Sequence, residues 1–391
     1  MMSGLPINNQ AVMNAESVNA AVNLYFSNSA KSRDSGTSIY SEALLNNFRM
    51  TGEAIDYSKS MLYISHCCPP SIAWYCLSIF EYHQIWDAWR WPLEEIQRQR
   101  TNMWTLLAKN VYADSYKVEN KLIKILTTFA MHMESVPWPQ LLSDILSLKL
   151  NQRAAFGLLE NITVEFVSKT SLVTFNESEI LISWVRQRLG SLVAMLLDQL
   201  KSYTNSVNPH STTSTAVSVI NGLPTPVSNI SPTFPSPHIS SELSKTCTSS
   251  LNILRALFEC DFFYQSPYII DALSVLFGCT VDAYDTPIGL GAINVLEEFF
   301  IHKYNGKDSK ASLCATSGLL RLLDHYLANT NDLNEKDSAY TEQIFVALQH
   351  FTEYHMPSLI QIEGYPIHQI LQQCLLLISQ KVFDSEQELV R

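Results

Sequence analysis

Apolar residues recur at the 3.6-residue period of an α-helix along almost the whole chain, and this periodicity limits the folds open to it more than any other feature. Leu122, Ile125, Leu126, Phe129 and Met133 stand at i, i+3, i+4, i+7 and i+11, on one stripe of a helix. The same spacing fits Leu189, Leu192, Val193, Leu196, Leu197 and Leu200. It fits again from Ile288 through Gly291, Ala292, Val295, Leu296 and Phe299, and from Ile367 through Ile370, Leu371, Cys374, Leu375 and Ile378. No comparable set of alternating positions marks strands, so the predicted class is all-α.

Breakers cut the stripes into short helices. Pro69-Pro70, Pro92, Pro137 to Pro139, Pro267, Pro287, Pro357 and Pro366 fall between stripes or in a first turn, where the missing N–H has no helical partner to lose. The expected helices are 15–28, 37–49, 53–66, 71–88, 92–111, 116–134, 138–149, 151–168, 177–204, 241–262, 267–281, 286–304, 310–329, 338–355 and 365–382. Taken in order they pair as antiparallel hairpins of about 35 to 45 residues, the period of HEAT-type repeats. A pair that short has too little core to stand alone, so each must stack on its neighbours. The chain has 391 residues, more than one core readily serves, which also favours repetition along an axis. The predicted architecture is therefore a HEAT-like α-α superhelical solenoid of the armadillo type.

Hairpins are expected over 1–168, a further helix at 177–204, and more hairpins over 240–391. Residues 206–239 differ. They contain no Asp, Glu, Lys or Arg and carry six prolines among many Ser and Thr. Such a composition buries too little apolar surface to offset ordering entropy, so a disordered insertion is expected there. Thr225-Pro226, Ser231-Pro232 and Ser236-Pro237 match proline-directed phosphorylation sites; the plainer reading is that any Ser/Pro-rich loop contains such pairs.

Charge and composition narrow the function classes. Hydrophobic residues make up 47% and charged residues 16%, too apolar a balance for a disordered chain. No apolar run reaches the length of a bilayer-spanning helix, and no basic region followed by an apolar core opens the chain, so neither membrane insertion nor a secretory signal is expected. The formal net charge of −11 and the lack of a Lys/Arg cluster argue against nucleic acid as the main ligand, because phosphate neutralisation needs concentrated positive charge. Eight cysteines lie mostly within apolar patterns, where a reduced thiol behaves as a small hydrophobe. Asn161-Ile-Thr163 and Asn176-Glu-Ser178 match the glycosylation acceptor pattern and are read as accidents.

Catalytic signatures are missing from the sequence. It has no G-x-x-x-x-G-K-[ST], no G-x-G-x-x-G, no H-E-x-x-H and no G-x-S-x-G. No aspartate-rich helix offers metal ligands; Asp282 and Asp285 fit a turn or helix start better. His66, Cys67, Cys68, Cys76 and His83 invite a zinc reading, but adjacent Cys67 and Cys68 lack the paired spacing that a tetrahedral site needs, and core packing is expected instead. Trp74, Tyr75, Phe80, Tyr82, Trp86, Trp89 and Trp91 could form a ligand groove or stacking platform. At helical spacing and without basic residues, core is the better reading. Neither an enzyme nor a resident cofactor is expected.

Three stretches carry a resemblance. Glu42-Ala-Leu-Leu-Asn-Asn-Phe48 is similar to the end of a first helical hairpin. Leu77-Ser-Ile-Phe-Glu81, leading to Trp86 and Trp89, is similar to a second inner helix. Glu119-Asn-Lys-Leu-Ile-Lys-Ile-Leu126, followed by Pro137-Trp-Pro139, is similar to a third inner helix and the opening of a fourth hairpin. In this order and spacing they resemble the N-terminal region of nuclear export receptors of the importin-β superfamily. Residues 20–40 depart from the family in lacking its basic-acidic run, and Tyr82 stands where Asn is common.

That resemblance implies a receptor whose inner helices hold the GTP-bound form of the small GTPase Ran together with a protein cargo, here actin with profilin. It also implies contact with nuclear pore proteins and shuttling between nucleus and cytoplasm. Ran-GTP and cargo would each raise the affinity of the other by the same factor. Glu81, Asn120, Lys121 and Lys124 are the expected Ran contacts, since Lys121 and Lys124 lie together beside the apolar stripe. The plainer reading of the lysines is that they solubilise the helix. Competing readings are a cytosolic HEAT-repeat scaffold and a nuclear import receptor. Export receptors are longer than this chain, and Asp384-Ser-Glu-Gln-Glu388 looks like the start of another helix, so a fragment is expected.

Overall fold

The computed structural model describes residues 15–28, 36–64, 68–86, 91–131, 138–148, 152–167, 175–207, 241–284, 286–302, 309–329 and 337–355, with Gln372 and Leu376. Among these residues every regular element is helical and there is no strand. The class read from the periodicity is all-α, and so is the structure. The helices are α1 (Ala15–Asn28), α2 (Gly36–Arg49), α3 (Glu53–Lys59), α4 (Pro70–Trp86), α5 (Leu93–Ala108), α6 (Tyr116–Met131), α7 (Leu141–Leu146) and α8 (Gln152–Val167). They are followed by α9 (Phe175–Val207), α10 (Ser241–Phe258), α11 (Asp261–Tyr264), α12 (Ile269–Asp282), α13 (Pro287–Ile301), α14 (Ser309–Asn329) and α15 (Asp337–His350).

Two compact units divide the chain: residues 1–162 with 172–177, and residues 163–171 with 178–391. In the first, consecutive helices pair as α1 with α2, α3 with α4 and α5 with α6, while α4 also packs on α1 and α6. The periodic residues of α6 explain its place. Leu122, Ile125, Leu126 and Phe129 are all buried, Leu126 completely, so the stripe predicted there is the one that packs. Met133 lies outside the described residues. Tyr75 donates from its hydroxyl to the Leu45 carbonyl at 2.7 Å, and a ring nitrogen of His83 lies 2.9 Å from the Arg49 carbonyl, tying α4 to the end of α2.

In the second unit α10 packs on α11 and α13, α12 on α13 and α14, and α13 on α15. Its core is rich in rings: Phe258 meets Phe263, Tyr264 and Phe299, and Phe300 meets Phe351. The stripe of α9, from Leu189 to Leu200, is buried throughout, as is that of α13 apart from half-exposed Gly291. Thr286 caps α13 by accepting from the Gly289 N–H at 3.1 Å, and Pro287 occupies the first turn.

Several helix ends differ from the periodic reading, for local reasons. The helix predicted to run to residue 111 stops at Ala108, because Asn110 turns left-handed with φ of 53°. The Asn110 N–H then reaches the Leu107 carbonyl at 3.0 Å and the Val111 N–H the Leu106 carbonyl at 3.2 Å, a Schellman cap. The helix predicted over 138–149 is only α7, since Trp138 occupies the preceding turn and donates from Nε1 to Asp144 at 2.8 Å. The stretches predicted over 53–66 and 338–355 each change from α to a π turn, at Ser60–Ile64 and Phe351–His355. The expected helix 241–262 breaks between Phe258 and Asp261. Helix α9 continues to Val207, past the expected start of the insertion at 206; residues 208–240, and the helix expected over 365–382 apart from Gln372 and Leu376, lie outside the described residues.

Candidate functional site

The polar edge of α6 faces α4. Trp74 and Glu81 are seven residues apart on α4 and share a face, and Lys121 of α6 lies against both. Its Nζ donates to Glu81 Oε2 and sits 5.1 Å from the centre of the Trp74 ring. Lys124, one turn further along α6, approaches the other oxygen, Glu81 Oε1, at 2.9 Å. Thus three of the residues expected to meet Ran, Glu81, Lys121 and Lys124, meet one another. Asn120 is exposed beside them.

Burial separates the two lysines. The Lys121 side chain is 17% exposed and that of Lys124 68%, so Lys121 is a buttress between α4 and α6, while Lys124 reaches into solvent. Burial alone would raise the Glu81 carboxyl. Hydrogen bonds from Lys121 and Lys124, together with their charges, outweigh it and hold the group below its ordinary range. Glu81 is therefore a carboxylate at neutral pH.

Lys117 is not among the expected contacts. It is exposed on the same face of α6 as Asn120, Lys121, Lys124 and Thr128, and the 3.6-residue period from Lys121 and Lys124 was the signal that could have found it. Glu119 lies elsewhere on the helix, buried, and pairs with Arg153 of α8. The remaining polar edge thus carries lysine charge on a chain whose net charge is negative.

The Trp-Pro stretch is structural. Trp138 is buried, packs edge-on against Trp104 at 5.5 Å, and lies under the Arg100 guanidinium at 5.0 Å. Of the other aromatic candidates, Tyr75 and Phe80 are core, Trp74 is half-buried, and Trp89 lies outside the described residues.

Cys68 and Cys76 are buried, and Cys67 and His66 lie outside the described residues. Burial pushes the Cys68 thiol up to about 11, against a hydrogen bond with Tyr112 that pulls the other way, and pushes Cys76 higher still. Both are neutral thiols that pack, as expected for core. Among the described residues no group of three or more His, Cys, Asp or Glu is placed to hold a metal ion, and no helix is long and apolar enough to cross a membrane. Asp285 lies outside the described residues. A cleft of about 450 Å³ opens between the first π turn and the α5–α6 connection, lined by Leu62, Tyr63, Leu106, Lys109, Val111 and Tyr112 among others.

No protein-family model matches the chain, and no curated protein matches it.

Proposed function

We propose that this chain acts as a nuclear export receptor of the importin-β superfamily, its paired helices stacking as a HEAT-like solenoid that binds Ran-GTP together with a protein cargo. The receptor it most resembles is exportin-6, and on that resemblance the cargo is actin with profilin. One observation supports the reading above the rest. The three stretches that carry the resemblance fall on α2, on α4 and on α6 with the turn before α7, and α2, α4 and α6 are the second members of three consecutive packed pairs. A series of such pairs is the arrangement a solenoid repeats. The lysine-bearing edge of α6 offers Lys117, Asn120 and Lys124 to a partner, with Lys121 and Glu81 setting the edge in place. Contact with nuclear pore proteins and movement between nucleus and cytoplasm belong to the same reading.

Titrating the chain with Ran in its GTP and GDP forms tests it. Preference for the GTP form is expected; equal affinity, or none for either, would favour a helical scaffold with no role in transport.

A further inference from the structure

Lys117, Lys121, Lys124 and Thr128 follow one another at four-, three- and four-residue steps along α6, and Asn120 falls between the first two. All five share the polar edge beside the buried stripe of Leu122, Ile125, Leu126 and Phe129. Of the three ammonium groups on that face, Lys121 and Lys124 both engage one carboxylate, Glu81. Glu119, the other acid nearby in α6, is buried and paired with Arg153.

The two bonds to Glu81 are unequal in environment. Lys121 is 17% exposed and lies over Trp74, so leaving Glu81 would strip a mostly buried ammonium of its carboxylate. Lys124 is 68% exposed, and an ion pair in that setting exchanges readily with solvent or another carboxylate. We propose that Glu81 is an internal counter-ion for this lysine edge, and that Lys117 and Lys124 recognise an acidic polypeptide surface by exchanging Glu81 for a partner carboxylate at Lys124. Lys117 and Lys124 are seven residues apart, so the carboxylates that satisfy both lie about 10 Å from one another. Asn120, between them, offers an amide that both donates and accepts. Lys121 keeps Glu81 throughout and is a positioning residue. The charge chemistry stands by itself; only the identity of the partner, Ran, rests on the proposed function.

The test uses the full chain and two probes: Ran-GTP, and a glutamate-rich helical peptide with carboxylates seven residues apart. Glu81→Gln removes the competing charge, so it should tighten peptide binding about threefold and steepen its salt dependence. Lys117→Ala with Lys124→Ala should weaken it about tenfold. Peptide affinity unchanged by the double alanine variant, or lowered by Glu81→Gln, overturns the proposal. If Glu81→Gln fails to fold, the exchange is read in the native protein from the Glu81 carboxyl and Lys124 Nζ resonances. Both should shift on adding peptide, and a Glu81 signal that stays fixed overturns the exchange. A chain that follows this pattern with the peptide yet ignores Ran-GTP would refute the transport reading and leave the exchange intact.

Discussion

Arg153 of α8 holds the carboxylate of Glu119 on α6, with Nε at 2.7 Å and Nη2 at 2.5 Å from the same Oε2 atom. The glutamate is 2% exposed, so its charge is met by protein groups, this guanidinium among them, more than by solvent. Arg153 also donates to the Ala113 carbonyl at 3.3 Å, which fastens the turn before α6.

Arg153→Met should therefore be costly, at about 3 to 5 kcal/mol, because it removes the guanidinium counter-charge of a buried carboxylate. Adding Glu119→Gln should recover part of the loss, since the stranded charge is then gone. Urea unfolding of the two variants checks this; equal midpoints for Arg153→Met and the wild type would mean that the pair carries no stability.

Leu126→Asp puts a charge where the wild-type side chain is fully buried on the α6 stripe. The expected cost exceeds about 4 kcal/mol, enough to unfold a marginal domain. Thermal melting followed by circular dichroism provides the measurement, and an unchanged midpoint would place the stripe at a surface.

Much of α6 could be read in advance, and the reason is physical. A helix that packs on one side advertises the fact in its period, so Leu122, Ile125, Leu126 and Phe129 were legible, as were the stripes of α9 and α13. Pairings across the fold have no such local signature. Glu81 and Lys121 are 40 residues apart, and nothing in either segment reveals that the lysine is held by the glutamate. Glu119 likewise looks like an ordinary first-turn acid until Arg153 is set beside it. Helix ends were less legible: the periodic reading ran through Asn110, whose left-handed conformation stops α5, and the π turns at Ser60–Ile64 and Phe351–His355 follow no residue pattern that we can identify.

Gly289 sits in the first turn of α13, where an added Cβ would lie 2.3 Å from the Ala283 carbonyl oxygen. That oxygen is backbone and cannot swing aside. Gly289→Ala should cost about 1 to 3 kcal/mol despite alanine's better helix propensity, while also disturbing the Thr286 cap. Calorimetry would detect it; a variant as stable as the wild type would show that the 283–287 turn yields easily.

His355 is 5% exposed, stacked parallel to Phe351 at 6.0 Å, with Nε2 lying 3.1 Å from the Phe300 carbonyl. Burial lowers its pKa, and hydrogen bonding to the Phe299 and Phe300 carbonyls only partly opposes that. A histidine harder to protonate in the folded than in the unfolded state stabilises the fold fully above its ordinary value of 6.5. That stability falls as pH drops below this value and levels off once the folded form also protonates. The melting temperature should thus decline on acidification through this window, and His355→Phe should flatten the decline even if it lowers stability at neutral pH. The comparison is a pair of melting profiles against pH, and parallel profiles would remove His355 as the cause.

Coupling between Ran-GTP and cargo tests the export reading most directly. The measurement is the affinity of the chain for profilin-actin with and without saturating Ran-GTP. A rise is expected, of about 30-fold for a coupling free energy near 2 kcal/mol, and Ran-GTP affinity should rise by the same factor when cargo is saturating. A fall in cargo affinity on adding Ran-GTP would mark an import receptor, and no change would contradict a transport receptor of either kind.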